Sequence, residues 1–221
     1  MSKMVYATLI GDLIGSRQAQ SRVDLQFSLR RALDSANAFL EPVQPLEPTV
    51  GDEFQGAFRD PVVACEASLL LRLLLLKDGG VDVRFGLGFG EVTVFESRTP
   101  ISQDGPGWWS ARAAIEHVAD LARAGRTDFV RTYLASSEVG GLPGGEVGAL
   151  NAYLLCRDGL VAQMKPRGHR LLLGTILGRS QAELAKEEGI SQPAVSQNLA
   201  AGGVYPIEVA GLELEREGRL S

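Results

Sequence analysis

The sequence predicts an α+β fold in which a ferredoxin-like βαββαβ sheet domain precedes an all-α domain. Up to about residue 134, short apolar runs alternate with segments whose apolar residues recur every three or four positions. A glycine-rich stretch at 140–148 breaks this pattern, and every segment assigned beyond it has helical spacing. We therefore expect two domains, 1–140 and 141–221.

The individual elements follow from apolar spacing and from residues that begin or end helices. Leu25, Leu29 and Leu33 share one helix face, and Asp60-Pro61 is typical of a helix start. The predicted strands are 4–10, 48–50, 54–58, 81–94 and 127–134, and the predicted helices are 22–40, 60–77, 108–124, 147–164, 167–177, 180–187 and 191–200. The order β-α-β-β-α-β-α-β before the boundary predicts a sheet containing antiparallel strands, with helices on one face.

Charge is distributed unevenly along the chain. The net charge of −5 argues against a protein coated with nucleic acid. Residues 157–180 nevertheless hold five basic side chains (Arg157, Lys165, Arg167, Arg170 and Arg179) against one acidic one, Asp158. We expect any DNA contact to be confined to this end of the molecule.

Composition also bears on the compartment. The two cysteines, Cys65 and Cys156, lie in apolar surroundings and lack the spacing of a metal site, which favours reduced thiols. The N-terminus lacks the pattern of a signal peptide, and the longest apolar run is too short to cross a bilayer. We expect a cytoplasmic protein without a membrane partner.

Residues 181–199 have the pattern of a helix-turn-helix. Gly189 supplies the turn, Ser191 caps the second helix, and the segment resembles the helix-turn-helix of phage Cro-type and other bacterial repressors. The residues expected to contact bases are Gln192, Ser196 and Gln197, and those expected to contact the backbone are Lys165, Arg167 and Arg170. The alternative is a helical bundle that contacts another protein.

Two carboxylates are predicted at the tips of neighbouring strands. Asp12 follows the first strand, and Asp52 lies in the turn between the second and third. Carboxylates placed in this way can share hard divalent cations that bridge phosphates, and glycines beside them can let phosphate oxygens reach backbone amides. The alternative is that both are turn residues that satisfy local amides.

Four segments, 9–15, 50–54, 84–91 and 108–114, resemble in order the signature segments of class III nucleotide cyclases. The second also resembles the Gly-Asp-Glu-Phe turn of diguanylate cyclases. The resemblance implies that Asp12 and Asp52 bind Mg²⁺ or Mn²⁺. The residues that we assign to nucleotide binding are Gly11, Gly15, Arg17, Gly51, Glu53 and Arg112. For Arg17, which lies just past the first turn, the alternative is a salt bridge with the acidic surface of the domain.

Two departures from the cyclase pattern favour ligand binding over catalysis, and we assign no catalytic residue. Pro48 stands where the class III pattern has its adenine-selecting lysine, and Trp108 stands where it has an asparagine. The leading hypothesis is a DNA-binding, homodimeric transcription regulator whose cyclase-like domain binds a metal–nucleotide or similar anion. The alternatives are an active nucleotidyl cyclase or nucleotidyltransferase with an accessory helix-turn-helix, and a protein-interaction adaptor.

The whole chain also resembles the SatD-like family of bacterial proteins. The matching segments are Gly11-Asp12, Ser16-Arg17, 51–56, 84–86, 104–106, Ala111-Arg112 and 192–197. This resemblance implies the same two-part architecture, and it does not specify a biochemical activity.

Overall fold

The computed structural model of the chain describes residues 2–16, 21–78, 80–94 and 103–218. The strands are β1 (Ser2–Leu13), β2 (Gln44–Pro48), β3 (Glu53–Phe58), β4 (Val83–Val94), β5 (Gln103–Asp104) and β6 (Thr132–Ser136). The helices are α1 (Arg22–Leu40), α2 (Pro61–Asp78), α3 (Pro106–Arg123), α4 (Gly144–Gln163), α5 (Pro166–Ile176), α6 (Gln181–Glu188), α7 (Gln192–Ala201) and α8 (Val204–Gly218). The mixed α+β class is confirmed, and the predicted element order is found with β5 and α8 as additions.

One sheet contains all six of these strands. Its order is β2-β3-β1-β4-β5, and β6 pairs with β4 on the same side as the short β5. The pairings of β1 with β3 and β4 are antiparallel, whereas β4 and β6 are parallel. The long central strand β1 therefore brings the ends of β3 and β4 together on its two sides.

Helices cover both faces of the sheet, so the expectation of helices on one face is wrong. Leu9 on β1 and Leu87 on β4 belong to a core that also includes residues of α1 and α2. Ile10, one position further along β1, packs instead with Ala111 and Ile115 of α3. Successive strand residues point to opposite faces, which places α3 on the face opposite α1 and α2.

Glycines in β4 allow α3 to lie almost directly on the strand. A methyl group on Gly86 would come within 2.1 Å of the Ala111 carbonyl oxygen, and one on Gly88 would come equally close to that of Gly107. These glycines are required by the close approach of two backbones. The short distance between α3 and β4 in turn brings the side chains of α3 close to the end of the sheet.

Two strands begin away from their predicted positions. The prolines before residue 50 indicated a connector, but Pro45 and Pro48 lie within β2, which is an edge strand and can accept residues without an amide hydrogen. Residues 127–130 form a turn, with the Val130 amide donating to the Thr127 carbonyl at 3.1 Å, so β6 begins only at Thr132.

The C-terminal helices are attached to the sheet through α4. Asn151 pairs with the backbone of Leu134 at 2.8 and 2.9 Å, and Asp158 accepts from the amide of Thr132 at 2.7 Å. These side chains occupy the β6 edge that faces away from β4 and that would otherwise present unpaired backbone groups. The apolar core is continuous from the sheet into α4–α8, and the boundary near residue 140 stays a prediction.

Candidate functional site

Three charged residues meet at one end of the sheet because of strand register. Asp12 lies one residue before the end of β1, directly opposite Glu53 of β3 on one side and Arg84 of β4 on the other. Residues paired across antiparallel strands place their side chains on the same face. That face is the one covered by α3.

Asp12 and Arg84 form an ion pair on this face. Nε of Arg84 donates to Oδ2 of Asp12 at 2.7 Å, and both side chains remain partly accessible. Burial raises the pKa of Asp12, whereas the neighbouring Arg84 lowers it. Asp52 and Glu53 raise it as well, and the net shift in the pKa of Asp12 is upward. A cation that reached this carboxylate would therefore compensate for its burial and for the two neighbouring carboxylates.

Asp52 lies in the turn between β2 and β3, beside the segment that follows β1. The Ser16 hydroxyl donates to Oδ2 of Asp52, and the Leu13 amide donates to the Asp52 carbonyl at 3.4 Å. Gly15 and Gly51 have φ values of 75° and 71°, which a residue with a side chain rarely adopts. Two tight turns therefore bring Asp52 within electrostatic range of Asp12.

Arg112 reaches the same cluster from α3. Its Nη1 and Nη2 donate to the two carboxylate oxygens of Glu53 at 3.0 and 2.8 Å. The hydrogen bond with Glu53 is the main cause that raises the pKa of Arg112. About half of the guanidinium side chain remains exposed, so an anion from solvent can approach it.

The strand-end cluster, defined as Asp12, Asp52, Glu53, Arg84 and Arg112, thus combines carboxylates with guanidinium groups at one end of the sheet. Its arginines have the charge and shape to bind a phosphate, and Asp12 and Asp52 are the carboxylates that could contribute to holding a divalent cation.

The other residues predicted for the nucleotide site have different settings. Gly11 lies inside β1, where a methyl group would come within 2.1 Å of the Phe54 ring, whereas Gly15 and Gly51 lie at the two turns. Arg17 lies outside the described residues. The assignments of all these residues to a nucleotide remain predictions.

Sequence reasoning did not select Arg84 or Ser16. Arg84 belongs to the matched segment 84–91, but only the register of β1 against β4 shows that it faces Asp12. Ser16 belongs to the matched Ser16-Arg17 pair, and only the folding of the two turns brings its hydroxyl to Asp52.

The segment predicted as a helix-turn-helix contains two helices, α6 and α7. Gly189, with a φ of 64°, ends α6, and the Ser191 hydroxyl accepts from the Ala194 amide at the start of α7. Val195 and Leu199 turn inward and are buried. Gln192 and Gln197 are exposed and Ser196 is half-buried. Helix α7 therefore presents a polar outer surface.

The basic residues of this region are largely engaged within the protein. Arg170 donates twice to Glu188 at 2.6 Å, and Arg167 lies 3.4 Å from the same carboxylate. Arg157 and Asp158 are buried against each other and cannot contact DNA. The local excess of positive charge at the surface is smaller than the sequence suggested, with Lys165 exposed at the start of α5.

Two features are absent from the part of the chain that the structure describes. Within 2–16, 21–78, 80–94 and 103–218, no group of three or more histidine, cysteine, aspartate or glutamate residues is arranged to hold a metal ion. In the same part of the chain, none of the helices combines the length and the apolar character needed to cross a bilayer. Cys65 is buried, whereas Cys156 is exposed.

Solved structures are similar to part of this chain at low sequence identity. A bacterial light-regulated adenylyl cyclase is 12% identical, with a TM-score of 0.46, over 60% of this chain and 43% of that one. A second such structure is 13% identical, with a TM-score of 0.43, over 61% and 77%. An adenylate/guanylate cyclase/hydrolase from Silicibacter pomeroyi is 15% identical, with a TM-score of 0.40, over 51% and 72%. This chain therefore spans less than half of the first of these structures.

A comparison with curated proteins finds no match. A family model described as the SatD family matches residues 6–139, a segment that includes every member of the strand-end cluster. Since this match extends over more than half of the 221 residues, the family prediction is confirmed, and the chain belongs to the SatD family.

Proposed function

We propose that this protein is a DNA-binding, transcription-regulator-like protein whose sheet domain binds a metal–nucleotide or a similar anionic ligand. One observation carries the ligand part of the proposal. Arg84 and Arg112 stand on one accessible face at the strand ends, and each is held by a carboxylate, Asp12 or Glu53. A phosphate can replace a carboxylate on an arginine because both present paired oxygens to the guanidinium fork.

The carboxylates of the cluster suit a hard cation. Asp12 and Asp52 offer only oxygen donors, which Mg²⁺ and Mn²⁺ prefer, and phosphate oxygens and water would complete the coordination. A cation bound there would neutralise phosphate charge. The protein's own groups would orient the ligand, because Ser16 holds Asp52 and Glu53 holds Arg112.

Binding without turnover is favoured over cyclisation. Trp108, at the position of the asparagine in the cyclase pattern, is buried, and its indole nitrogen donates to Gln103 at 3.2 Å. Pro48 lies in edge strand β2 and offers no side-chain donor to a base. Formation of a cyclic nucleotide from ATP or GTP by the purified protein would establish the alternative function.

The DNA part of the proposal depends on α7. Its exposed glutamines, Gln192 and Gln197, can form two hydrogen bonds each with an adenine edge in a major groove. Lys165, exposed before α5, can contact phosphate. The buried Val195 and Leu199 fix which side of α7 faces outward.

The ligand part is tested by thermal unfolding with ATP, GTP and inorganic triphosphate, each with and without Mg²⁺. A ligand that binds only the folded state raises the unfolding temperature, by an amount that grows with concentration. We expect the increase to disappear in Arg112→Ala and to persist in Arg123→Ala. Arg123 is a matched control, because it is an exposed arginine on the same helix, paired with Asp120 at 2.5 Å.

The DNA part is tested by selection from genomic fragments at moderate salt. We expect an enriched sequence, and we expect Gln192→Ala and Gln197→Ala each to reduce sequence preference by about 1–3 kcal/mol per lost base contact. Lys165→Ala should instead weaken binding to all sequences and flatten the salt dependence. If no sequence is enriched, the adaptor interpretation replaces the regulator.

A further inference from the structure

A network of largely buried charges lies between the strand-end cluster and the C-terminal helices. Arg72 of α2 is buried, and its Nε and Nη2 donate to the two carboxylate oxygens of Asp82 at 2.8 and 3.2 Å. Nε of Arg131 donates to the same carboxylate at 2.7 Å. Asp82 comes directly before β4, two residues ahead of Arg84. The network therefore begins beside one arginine of the strand-end cluster.

Asp82 is also joined to the turn at 14–16. The Ile14 amide donates to the Asp82 carbonyl at 2.8 Å, and Ser16, two residues further along, donates to Asp52. A movement of this turn would therefore act on Asp82 through the backbone. A ligand held by Asp52 lies at the other end of the same turn.

Asp158 of α4 lies on the far side of the network. Its Oδ2 accepts from the Arg131 and Thr132 amides at 2.8 and 2.7 Å, and its Oδ1 accepts from Nη2 of Arg157 at 3.0 Å. The carboxylate is fully buried, so these bonds are protected from water. Asp158 thus fixes where α4 lies against the edge of the sheet.

Helix α4 shares one apolar core with α7, the helix proposed to contact DNA. The core includes Leu154 and Val161 of α4 together with Val195 and Leu199 of α7. Because packed interiors leave few voids, a displacement of one helix is passed to its neighbours. A change in the position of Asp158 relative to β6 would therefore reach α7.

Arg72 has a nitrogen that this network does not use. Nη1 lies 3.7 Å from Oδ1 of Asp158, which is beyond hydrogen-bond distance. Among the described residues, it is the one buried side-chain nitrogen or oxygen atom without a hydrogen-bond partner, and such an atom costs stability. A shift of about 0.5 Å would bring it within hydrogen-bond distance of Asp158. The network therefore has a second arrangement close to the first.

We propose that Arg72 couples the turn at 14–16 to Asp158, so that a ligand at the strand-end cluster changes the packing of the C-terminal helices. In the second arrangement Arg72 bonds Asp82 and Asp158 at once. A ligand shifts such an equilibrium when it binds one arrangement more tightly, and its contact with Asp52 supplies the difference. The ligand is the anion of the proposed function, on which this inference rests.

Hydrogen exchange followed by NMR tests the coupling in the full chain, with Mg²⁺ and inorganic triphosphate as the probe. The amides of Arg131 and Thr132 donate to Asp158, whereas that of Leu134 donates to Asn151. We expect the probe to slow exchange of the first two by roughly threefold or more relative to Leu134, because a further bond holds Asp158 in place. Equal slowing of all three amides, with the probe bound, would overturn the proposal.

Two substitutions test whether Arg72 carries the coupling. Arg72→Lys keeps the positive charge opposite Asp82, but an ammonium group lacks the fork that can serve two carboxylates. We expect this variant to bind the probe and to lose the difference in exchange. Arg131→Lys is the matched control, because Arg131 also pairs with Asp82 but contacts Asp158 through a backbone amide that lysine retains. A difference that is lost in both variants, or in neither, contradicts this role of Arg72.

A third variant separates this inference from the proposed function. Ser16→Ala removes the hydrogen bond between the turn and Asp52, so without any probe we expect faster exchange of the Arg131 and Thr132 amides relative to that of Leu134. If the probe fails to raise the unfolding temperature, the ligand part of the proposed function is wrong, and Ser16→Ala still decides the coupling. Relative exchange rates that do not change in Ser16→Ala would exclude it.

Discussion

Arg112 and Glu53 face each other across the gap between α3 and the end of β3, joined by two hydrogen bonds of 3.0 and 2.8 Å. The pair uses both oxygens of the carboxylate and both terminal nitrogens of the guanidinium. This is the geometry with which arginine also binds phosphate. Glu53 therefore occupies the position that an anionic ligand would take on Arg112.

The first prediction concerns this competition. Glu53→Gln removes the charge that holds Arg112, so inorganic triphosphate without metal should bind more tightly, by about 0.5–1 kcal/mol or roughly a factor of two to five. Titration calorimetry measures the change. Glu116→Gln is the control, since Glu116 lies on α3 and also acts on Arg112 electrostatically. Weaker triphosphate binding in Glu53→Gln would contradict the competition.

The second prediction concerns the carboxylates of the cluster. Asp52 helps to raise the pKa of Asp12, and a carboxyl with a raised pKa stabilises the folded state at low pH and loses that contribution as pH rises through its folded pKa. Asp52→Asn should therefore increase the free energy of unfolding of the metal-free protein at neutral pH, by less than about 1 kcal/mol.

Chemical denaturation at two pH values measures this effect. The gain should shrink in acid, where Asp12 is protonated in both proteins, and Asp52→Asn should also lose any stabilisation by Mg²⁺ and nucleotide. A variant that is less stable at neutral pH, or that keeps the metal-dependent increase, would show that Asp52 is a turn residue.

The third prediction concerns the basic residues before α6. Glu188 engages both Arg167 and Arg170, and their hydrogen bonds lower its pKa. Glu188→Gln should release two arginines to solvent, increase affinity for all duplex sequences and steepen the salt dependence by about one unit for each new phosphate contact. Fluorescence anisotropy over a salt series checks this, with Glu213→Gln as control. An unchanged slope would place the phosphate contacts elsewhere.

The fourth prediction tests the contact between α3 and β4. A methyl group on Gly88 would lie 2.1 Å from the Gly107 carbonyl oxygen, whereas one on Gly148 of α4 has no neighbour within 4 Å. Gly88→Ala should destabilise the protein by about 1–3 kcal/mol, and Gly148→Ala should stabilise it by about 0.5–1 kcal/mol. Urea unfolding compares them, and equal effects would mean that α3 does not lie against β4.

The fifth prediction concerns assembly. One helix-turn-helix usually needs a partner half-site for specific binding, so we expect a homodimer with a mass near twice 23.6 kDa and an inverted-repeat DNA site. Trp109 is 61% exposed on α3, three residues before Arg112, and Trp109→Ala should weaken the dimer. Light scattering at micromolar concentration measures the mass. A monomer bound to a single half-site would refute the prediction.

Local signals predicted the elements well where apolar spacing was strong. The bounds of α1 agree with the prediction because leucines recur on one face and Ser21 caps the first turn. Helix α8 was missed because Gly202 and Gly203 end the preceding helix and Pro206 follows soon after, a pattern that also marks a loop. Helix α3 was found, but the sheet face that it covers was not, because periodicity along one segment carries no information about its partner.

The sequence by itself determined that the chain is a mixed α+β protein of the SatD type, and that Asp12 and Asp52 fall at strand tips. These features depend on residues close together in the chain. Only the tertiary structure decided that Arg84 faces Asp12, that Glu53 holds Arg112 and that Glu188 engages two arginines. Each of these contacts is made by strand pairing or helix packing between segments that are distant in the chain. The charge of a side chain does not determine which segments pair or pack.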